Sequence, residues 1–195
     1  EIAAVMRIIA GRFRGRALTA VGKGDPGAHL RPTTDRTRES LFSVLAGGRF
    51  GDPLEGARVL DLFAGTGALG LEALSRGAAC VTFVDDGRVA LGLLKRNIEM
   101  LAVQAEVRVI ARDARKLPHC DGEPATLVFL DPPYGRDMGG PALAAARAGG
   151  WIAPGALVVW EETAAQAAPA GLRLLEARRY GDTVVTLLEA EGAAE

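Results

Sequence analysis

The chain has 195 residues and a mass of 20.3 kDa, enough for one good-sized core and a small appendage. Hydrophobic residues make up 49% and charged residues 24%, an ordinary globular composition that excludes wholesale disorder. The net charge of −1 conceals an asymmetry: residues 1–49 hold nine basic side chains against four acidic ones, a balance of +5 that leaves −6 for the remainder.

Such segregation points to a polyanion met by one end of the molecule. Cys80 and Cys120 lack a CxxC spacing and have only His29 and His119 for company, so neither a zinc site nor a disulfide framework is supported. The longest nearly uncharged run, Ala148 to Trp160, contains Pro154 and is too short to span a bilayer. Arginines recur from Arg7 onward, which argues against a signal peptide, and the expected location is a reducing cytoplasm.

Residues 1–5 precede a Met6 that reads as a start, so the fold is read from there. Arg7–Ala10 and Ala17–Thr19 are expected as short strands around an arginine-studded turn, Gly11–Arg16. Phe13 between Arg12 and Arg14 offers a face for a base while its neighbours meet phosphate. Arg12, Arg14 and Arg16 alternate, so on an extended segment they point the same way. Residues 21–30, with Gly22, Gly24, Pro26 and Gly27, read as a flexible connector. Thr34 or Asp35 then caps a helix whose apolar side is Leu41, Phe42, Val44 and Leu45, ended by Gly47-Gly48. Arg31, Arg36 and Arg38 stand near its start and, with Arg7, Arg12, Arg14 and Arg16, are the expected polyanion contacts.

The chain is organised around Val59-Leu60-Asp61-Leu62-Phe63-Ala64-Gly65-Thr66-Gly67-Ala68-Leu69-Gly70. Val59, Leu60, Leu62 and Phe63 lack polar alternation, as expected of a strand covered on both faces of a parallel sheet. Gly65 and Gly67 turn the chain and bring a ligand close to bare amides, and a helix from Ala68 to Ser75 turns its positive N-terminus to the same place. The next strand, Cys80–Val84, ends at Asp85-Asp86, where a cofactor ribose would find an acceptor. This constellation suits a nicotinamide dinucleotide or S-adenosylmethionine equally.

Strand and helix then alternate. A helix is expected over Arg88–Leu101, a strand over Glu106–Ile110 with Asp113-Ala114 just beyond it, and a strand over Thr126–Leu130. A helix near Pro141–Ala148, a strand at Ala156–Trp160 ended by Glu161-Glu162, and a hairpin of Leu172–Tyr180 with Thr183–Glu189 complete the chain. The fold expected is α/β, a mostly parallel sheet with helices on both faces and an antiparallel finish, carrying a small N-terminal hairpin and helix. In such a sheet Asp61, Asp85, Asp113 and Asp131 rim one crevice at the strands' carboxyl ends. There Asp85 suits a ribose, Asp113 the exocyclic amine of adenine, and Asp131 the place of the transferred group.

Asp131-Pro132-Pro133-Tyr134 decides between the cofactors. The two prolines remove two backbone donors and fix φ, leaving carbonyls free to accept. The Asp131 carboxylate and the Pro132 carbonyl then offer two acceptors to a planar NH₂ group, and Tyr134 offers a face on which a base stacks. A hydride-transfer enzyme has no use for this arrangement.

Asp61-Leu62-Phe63-Ala64-Gly65-Thr66-Gly67 together with Asp131-Pro132-Pro133-Tyr134 resembles the class I S-adenosylmethionine-dependent methyltransferases that act on exocyclic amines. Met6–Gly11, Arg31–Arg36 and Ala68–Gly77 together resemble the RsmD family, which methylates N2 of a guanine in bacterial 16S ribosomal RNA. The resemblance runs from Met6 to about Glu189 and implies a Rossmann-like sheet of seven strands. It also implies an RNA-binding extension over residues 6–50 and a methyltransferase domain over residues 51–195. Cofactor contacts are then expected from Asp61, Ala64, Gly65, Gly67, Asp85, Asp86, Asp113, Ala114 and Asp131, and catalytic contacts from Asp131, Pro132, Pro133 and Tyr134. The seven arginines become RNA contacts, with 16S rRNA in a small-subunit particle as partner and no metal. Gly87 departs from the family, which tends to place an acid or asparagine there, so Asp85 and Asp86 compete for the ribose and position favours Asp85. The Asp-Pro-Pro-Tyr motif is shared with adenine-N6 methyltransferases, which are the alternative; an oxidoreductase binding a nicotinamide dinucleotide is a more distant one.

Overall fold

A computed structural model describes residues 5–19 and 35–192. The expected connector, Arg31 and the capping Thr34 lie outside the described residues. The N-terminal segment forms a two-stranded antiparallel ribbon, β1 (Met6–Arg7) and β2 (Ala17–Leu18), and a helix, α1 (Asp35–Ala46). Then follow β3 (Arg58–Leu62), α2 (Ala68–Ser75), β4 (Cys80–Asp85), α3 (Arg88–Leu101), β5 (Val107–Ala111) and β6 (Ala125–Leu130). The chain continues through α4 (Gly139–Ala148), β7 (Ile152–Glu162), β8 (Leu172–Tyr180) and β9 (Thr183–Ala190).

Seven strands make one sheet in the order β5-β4-β3-β6-β7-β9-β8, parallel from β5 to β7 and antiparallel where β9 joins β7 and β8. The chain winds outward from β3 to β5, then returns to lay β6 on the other side of β3. A crevice opens at such a reversal, beyond the carboxyl ends of the two central strands.

Period-two alternation sends successive side chains of the central strands to opposite faces. Val59, Val81, Phe83, Leu127 and Phe129 pack with α1, α2 and α3 on one face; Leu60, Leu62, Val128, Leu130 and Val158 pack with Leu143 and Ala146 of α4 on the other. Both faces are covered, which is why β3 and β6 read as apolar runs without polar alternation, β3 being interrupted by the buried Asp61. Met6, Ile8, Leu18, Leu41, Phe42 and Leu45 share the first core, so the N-terminal segment is packed onto the sheet. Phe42 is fully buried, with its ring centroid 5.7 Å from that of Phe129.

Three elements differ from expectation. Phe63 leaves the strand with φ 58°, because the chain turns there to start the loop. β7 begins at Ile152, four residues early, and crosses Pro154 and Gly155 through a register shift opposite Ala125–Leu127, which hides it from an alternation reading. The N-terminal strands are two residues long, and residues 11–15 form a turn.

Candidate active site

β3 and β4 end side by side, with Leu62 paired to Val84, and their carboxylates organise the loop between β3 and α2. Asp61 is buried at 1% exposure and accepts the Gly70 amide at 3.0 Å, tying the strand to the first turn of α2. Burial pushes its carboxyl well above the usual range; the Gly70 hydrogen bond opposes this, and the charges of Asp131 and Asp85 add to it. Asp85 accepts the Gly65 amide at 2.9 Å through Oδ2 and the Gly87 amide at 2.8 Å through Oδ1. Its carboxyl is raised chiefly by burial, against the pull of these two amides. Asp86, by contrast, is exposed.

The glycine loop is therefore not a row of bare amides. Gly65 donates to Asp85, and Gly67 donates to the Ala64 carbonyl at 2.9 Å. Glycine is required at position 67 because φ is 83° and a Cβ would lie 2.5 Å from Leu94 Cδ1. At Gly70 a Cβ would meet the Phe83 ring at 2.5 Å and Asp61 Oδ2 at 3.0 Å, so close packing of α2 on the sheet sets that residue. Asp85 keeps spare lone pairs beside this loop. Oδ2 gives one to Gly65 of the loop and Oδ1 one to Gly87 at the start of α3, and a carboxylate has about four acceptor positions, which leaves capacity for hydroxyl donors.

Asp113 caps the short 3-10 turn Ala114–Lys116 beyond β5, accepting from the Arg115 amide at 2.9 Å. The Arg115 guanidinium also forks onto it, with Nη2 at 2.7 Å from Oδ2, and holds its carboxyl below the usual range. The Asp113 acceptors expected to face an adenine amine are thus shared with an arginine two residues on. Ala114 is buried beside the same turn.

Asp131 begins where β6 leaves the sheet, its amide 3.4 Å from the Leu62 carbonyl of β3. Its charge also raises the Asp61 carboxyl, so the Asp-Pro-Pro-Tyr motif leaves the sheet near the carboxylate that ties β3 to α2. Pro132 is buried, whereas Asp131, Pro133 and Tyr134 are half-buried. Tyr134 Oη lies 2.9 Å from Thr183 Oγ1, which anchors the motif to the start of β9. Sequence reading missed Thr183; its signal is only the hairpin whose turn the parallel strands bring to the same end.

The arginines divide. Arg38 is not available to phosphate: its side chain is fully buried, with Nη2 donating to Asp35 Oδ1 and to the Arg7 carbonyl, both at 2.6 Å. The helix turns that residue inward, where it fastens β1 to α1. Arg12 pairs with Glu106 and covers the Phe13 ring at 4.6 Å, and Phe13 itself packs partly against the core, so its face is not a bare stacking platform. Arg16 donates to the Met100 carbonyl at 2.7 Å, and Arg7 to the Gly15 carbonyl at 3.0 Å. Because residues 11–15 turn, the three alternating arginines do not form one extended row; Arg12 and Arg16 dock the turn beside the end of α3. Arg14 and Arg36 are exposed, as are Arg7, Arg12 and Arg16 in part.

Two further buried polar groups were not singled out from the sequence. Glu72 of α2 is fully buried and accepts the amides of Ile9 at 2.8 Å and Ala10 at 3.2 Å, with Arg76 Nε at 3.1 Å. Asn97 of α3 is fully buried between the loop and the arm. Polar residues at core positions of helices are the available signal for both.

The chain is 37% identical over 193 residues to ribosomal RNA small subunit methyltransferase D of Escherichia coli, covering 97% of this chain and 92% of that protein. A protein of the same name from Haemophilus influenzae is 34% identical over 164 residues, covering 80% and 78% of the two chains. Among solved structures, Escherichia coli yhhF, described as a methyltransferase, superposes with a TM-score of 0.79 at 36% identity, over 96% of this chain and 98% of that one. A family described as conserved hypothetical protein 95 matches residues 6–189, and the chain belongs to that family, the RsmD family that its motifs resemble.

Proposed function

We propose that the protein transfers a methyl group from S-adenosylmethionine to the exocyclic N2 of a guanine in 16S ribosomal RNA, with the small ribosomal subunit as its setting. The observation that carries this reading is that Asp131 leaves β6 against Leu62 of β3, at the strand end from which the loop held by Asp61 and Asp85 departs, so that groups suited to an amine and a loop suited to a cofactor lie at adjacent strand ends. The names of the relatives support a ribosomal RNA substrate over adenine-N6 or nicotinamide chemistry. In this reading residues 6–50 serve as the RNA-contacting extension and residues 51–195 as the methyltransferase domain.

When bound, the cofactor supplies an electrophilic methyl carbon on a sulfonium. Asp85 takes ribose hydroxyls on its spare lone pairs, and Ala64, Gly65 and Gly67 give the loop its shape. Asp86, Asp113 and Ala114 line the route toward the adenine end. The guanine amino nitrogen is a poor nucleophile because its lone pair is delocalised into the ring. Asp131 and the Pro132 carbonyl accept hydrogen bonds from its two N–H groups, orient that lone pair and offset the positive charge it gains in the displacement until one of those protons leaves to solvent. Pro133 rigidifies the turn, and Tyr134, fastened through Thr183, offers its ring to the base. The guanine must leave any stack to reach this site, which favours a loop or helix end in RNA. Arg7, Arg12, Arg14, Arg16 and Arg36 meet the phosphate backbone outside the crevice.

Calorimetry with S-adenosylmethionine and its demethylated product should show binding of both. Tight binding of a nicotinamide dinucleotide with no response to S-adenosylmethionine contradicts the reading.

A further inference from the structure

Asn97 lies on α3, fully buried, and belongs to neither of the two motifs. Its Nδ2 donates to the Thr66 carbonyl at 2.9 Å, in the middle of the glycine loop. Its Oδ1 accepts the Thr19 amide at 2.7 Å and the Thr19 hydroxyl at 2.5 Å, immediately after β2 of the arginine-bearing arm. The orientation of this amide is dictated by its partners. A carbonyl only accepts, so nitrogen faces Thr66; a backbone N–H only donates, so oxygen faces Thr19. Leu94, one turn earlier on the same helix, packs against Gly67, so α3 grips the loop through two side chains.

A buried side chain with both ends committed transmits order in a way that a solvated one does not, because losing either bond leaves an unsatisfied polar group in the interior. We propose that Asn97 is a positioning residue that couples cofactor binding to the RNA-contacting arm. A ligand that fixes residues 64–67 fixes the Thr66 carbonyl, and through Asn97 it fixes Thr19 and the strand ahead of it. The arm then meets RNA with part of its ordering cost already met, and by thermodynamic reciprocity bound RNA tightens the cofactor by the same factor. This rests on the reading that residues 61–67 hold the cofactor and that the arm meets RNA.

The test is the affinity of a 16S rRNA fragment for the full chain, measured by fluorescence anisotropy with and without saturating S-adenosylhomocysteine. In the parent the ligand should tighten RNA binding by about fivefold or more, the lower end of ordinary coupling. Asn97→Asp keeps the acceptor for the Thr19 amide and hydroxyl and loses the donor that reaches the Thr66 carbonyl and, at 3.3 Å, the Thr19 carbonyl, so the ratio should fall to about one. Thr19→Val removes one arm-side bond without touching the loop; it should at least halve the ratio while leaving S-adenosylhomocysteine affinity in the absence of RNA at the parent value. A merely structural Asn97 would leave the ratio unchanged in Thr19→Val, and that result overturns the proposal, as does a parent ratio of one. A parent that binds no S-adenosylhomocysteine fails at the earlier step, removing the cofactor reading itself and the coupling with it.

Discussion

Asp85 Oδ2 accepts the amide of Gly65 at 2.9 Å, so the carboxylate that ends β4 holds the loop that follows β3. Strand pairing places the two residues on adjacent strand ends although they stand twenty positions apart in sequence.

Asp85→Ala should therefore weaken S-adenosylmethionine twice over, by removing the ribose acceptor and by releasing the Gly65 and Gly87 amides. A hydrogen bond to a charged group contributes roughly 1.5–3 kcal/mol, which corresponds to an affinity loss of about 10- to 100-fold. Calorimetry checks this; unchanged affinity would remove Asp85 from the cofactor site.

Asp61 makes a prediction about pH. Its carboxyl is raised in the fold above the ordinary 3.8. The unfolded chain therefore loses this proton first, and between the two values the native state binds more protons, so this group's contribution to stability falls as pH rises. Asp61→Asn keeps an acceptor for Gly70 without the titration. The urea midpoint of the variant should gain on that of the parent as pH increases from about 4 toward neutrality. A difference independent of pH would show that the carboxyl is not held protonated by the fold.

Asp131→Ala should abolish turnover while leaving S-adenosylmethionine affinity within a fewfold of the parent, because its carboxylate acts on the target amine. Methylation rate and calorimetry on the same preparation separate the two effects. A rate within a fewfold of the parent would contradict the role assigned to Asp131.

Arg38 and Arg14 should separate cleanly despite their common side chain. Arg38 is buried against Asp35 and the Arg7 carbonyl, so Arg38→Ala should lower the midpoint of thermal unfolding. The exposed Arg14 should leave stability nearly unchanged when replaced by alanine. The triple replacement of Arg12, Arg14 and Arg16 by alanine should flatten the salt dependence of RNA binding by roughly 0.7–0.9 log units for each phosphate that is no longer neutralised. Equal salt slopes for parent and variant would leave the arm as a solvated segment with a docking role alone.

The sheet was legible because both of its faces are buried: runs such as Leu127–Leu130 and the glycines after Phe63 state strand and turn without ambiguity. α3 reads in full because Leu94, Ile98 and Leu101 recur at helical spacing along the buried side. The beginning of β7 did not read, since Pro154 and Gly155 imitate a loop where a bulge carries the strand through. The four acids were legible by position, since each stands at or just beyond a strand's carboxyl end. What they bind was not. Arg115 lies two residues from Asp113 and forks it through a 3-10 turn, while Gly65 and Gly87 reach Asp85 through a loop and a helix start. The arginines' own partners were the least legible. Burial of Arg38 depends on which side of α1 meets the sheet, and the pairing of Arg12 with Glu106 depends on the arm folding back onto α3.

Incubating the protein with methyl-deuterated S-adenosylmethionine and 16S rRNA, free and within assembled small subunits, then digesting the RNA to nucleosides for mass spectrometry, identifies the methylated atom. Label is expected in N2-methylguanosine, at a single nucleotide, and none with Asp131→Ala. Label in N6-methyladenosine, or no transfer to either form of the RNA by a protein that binds the cofactor, would contradict the proposed function.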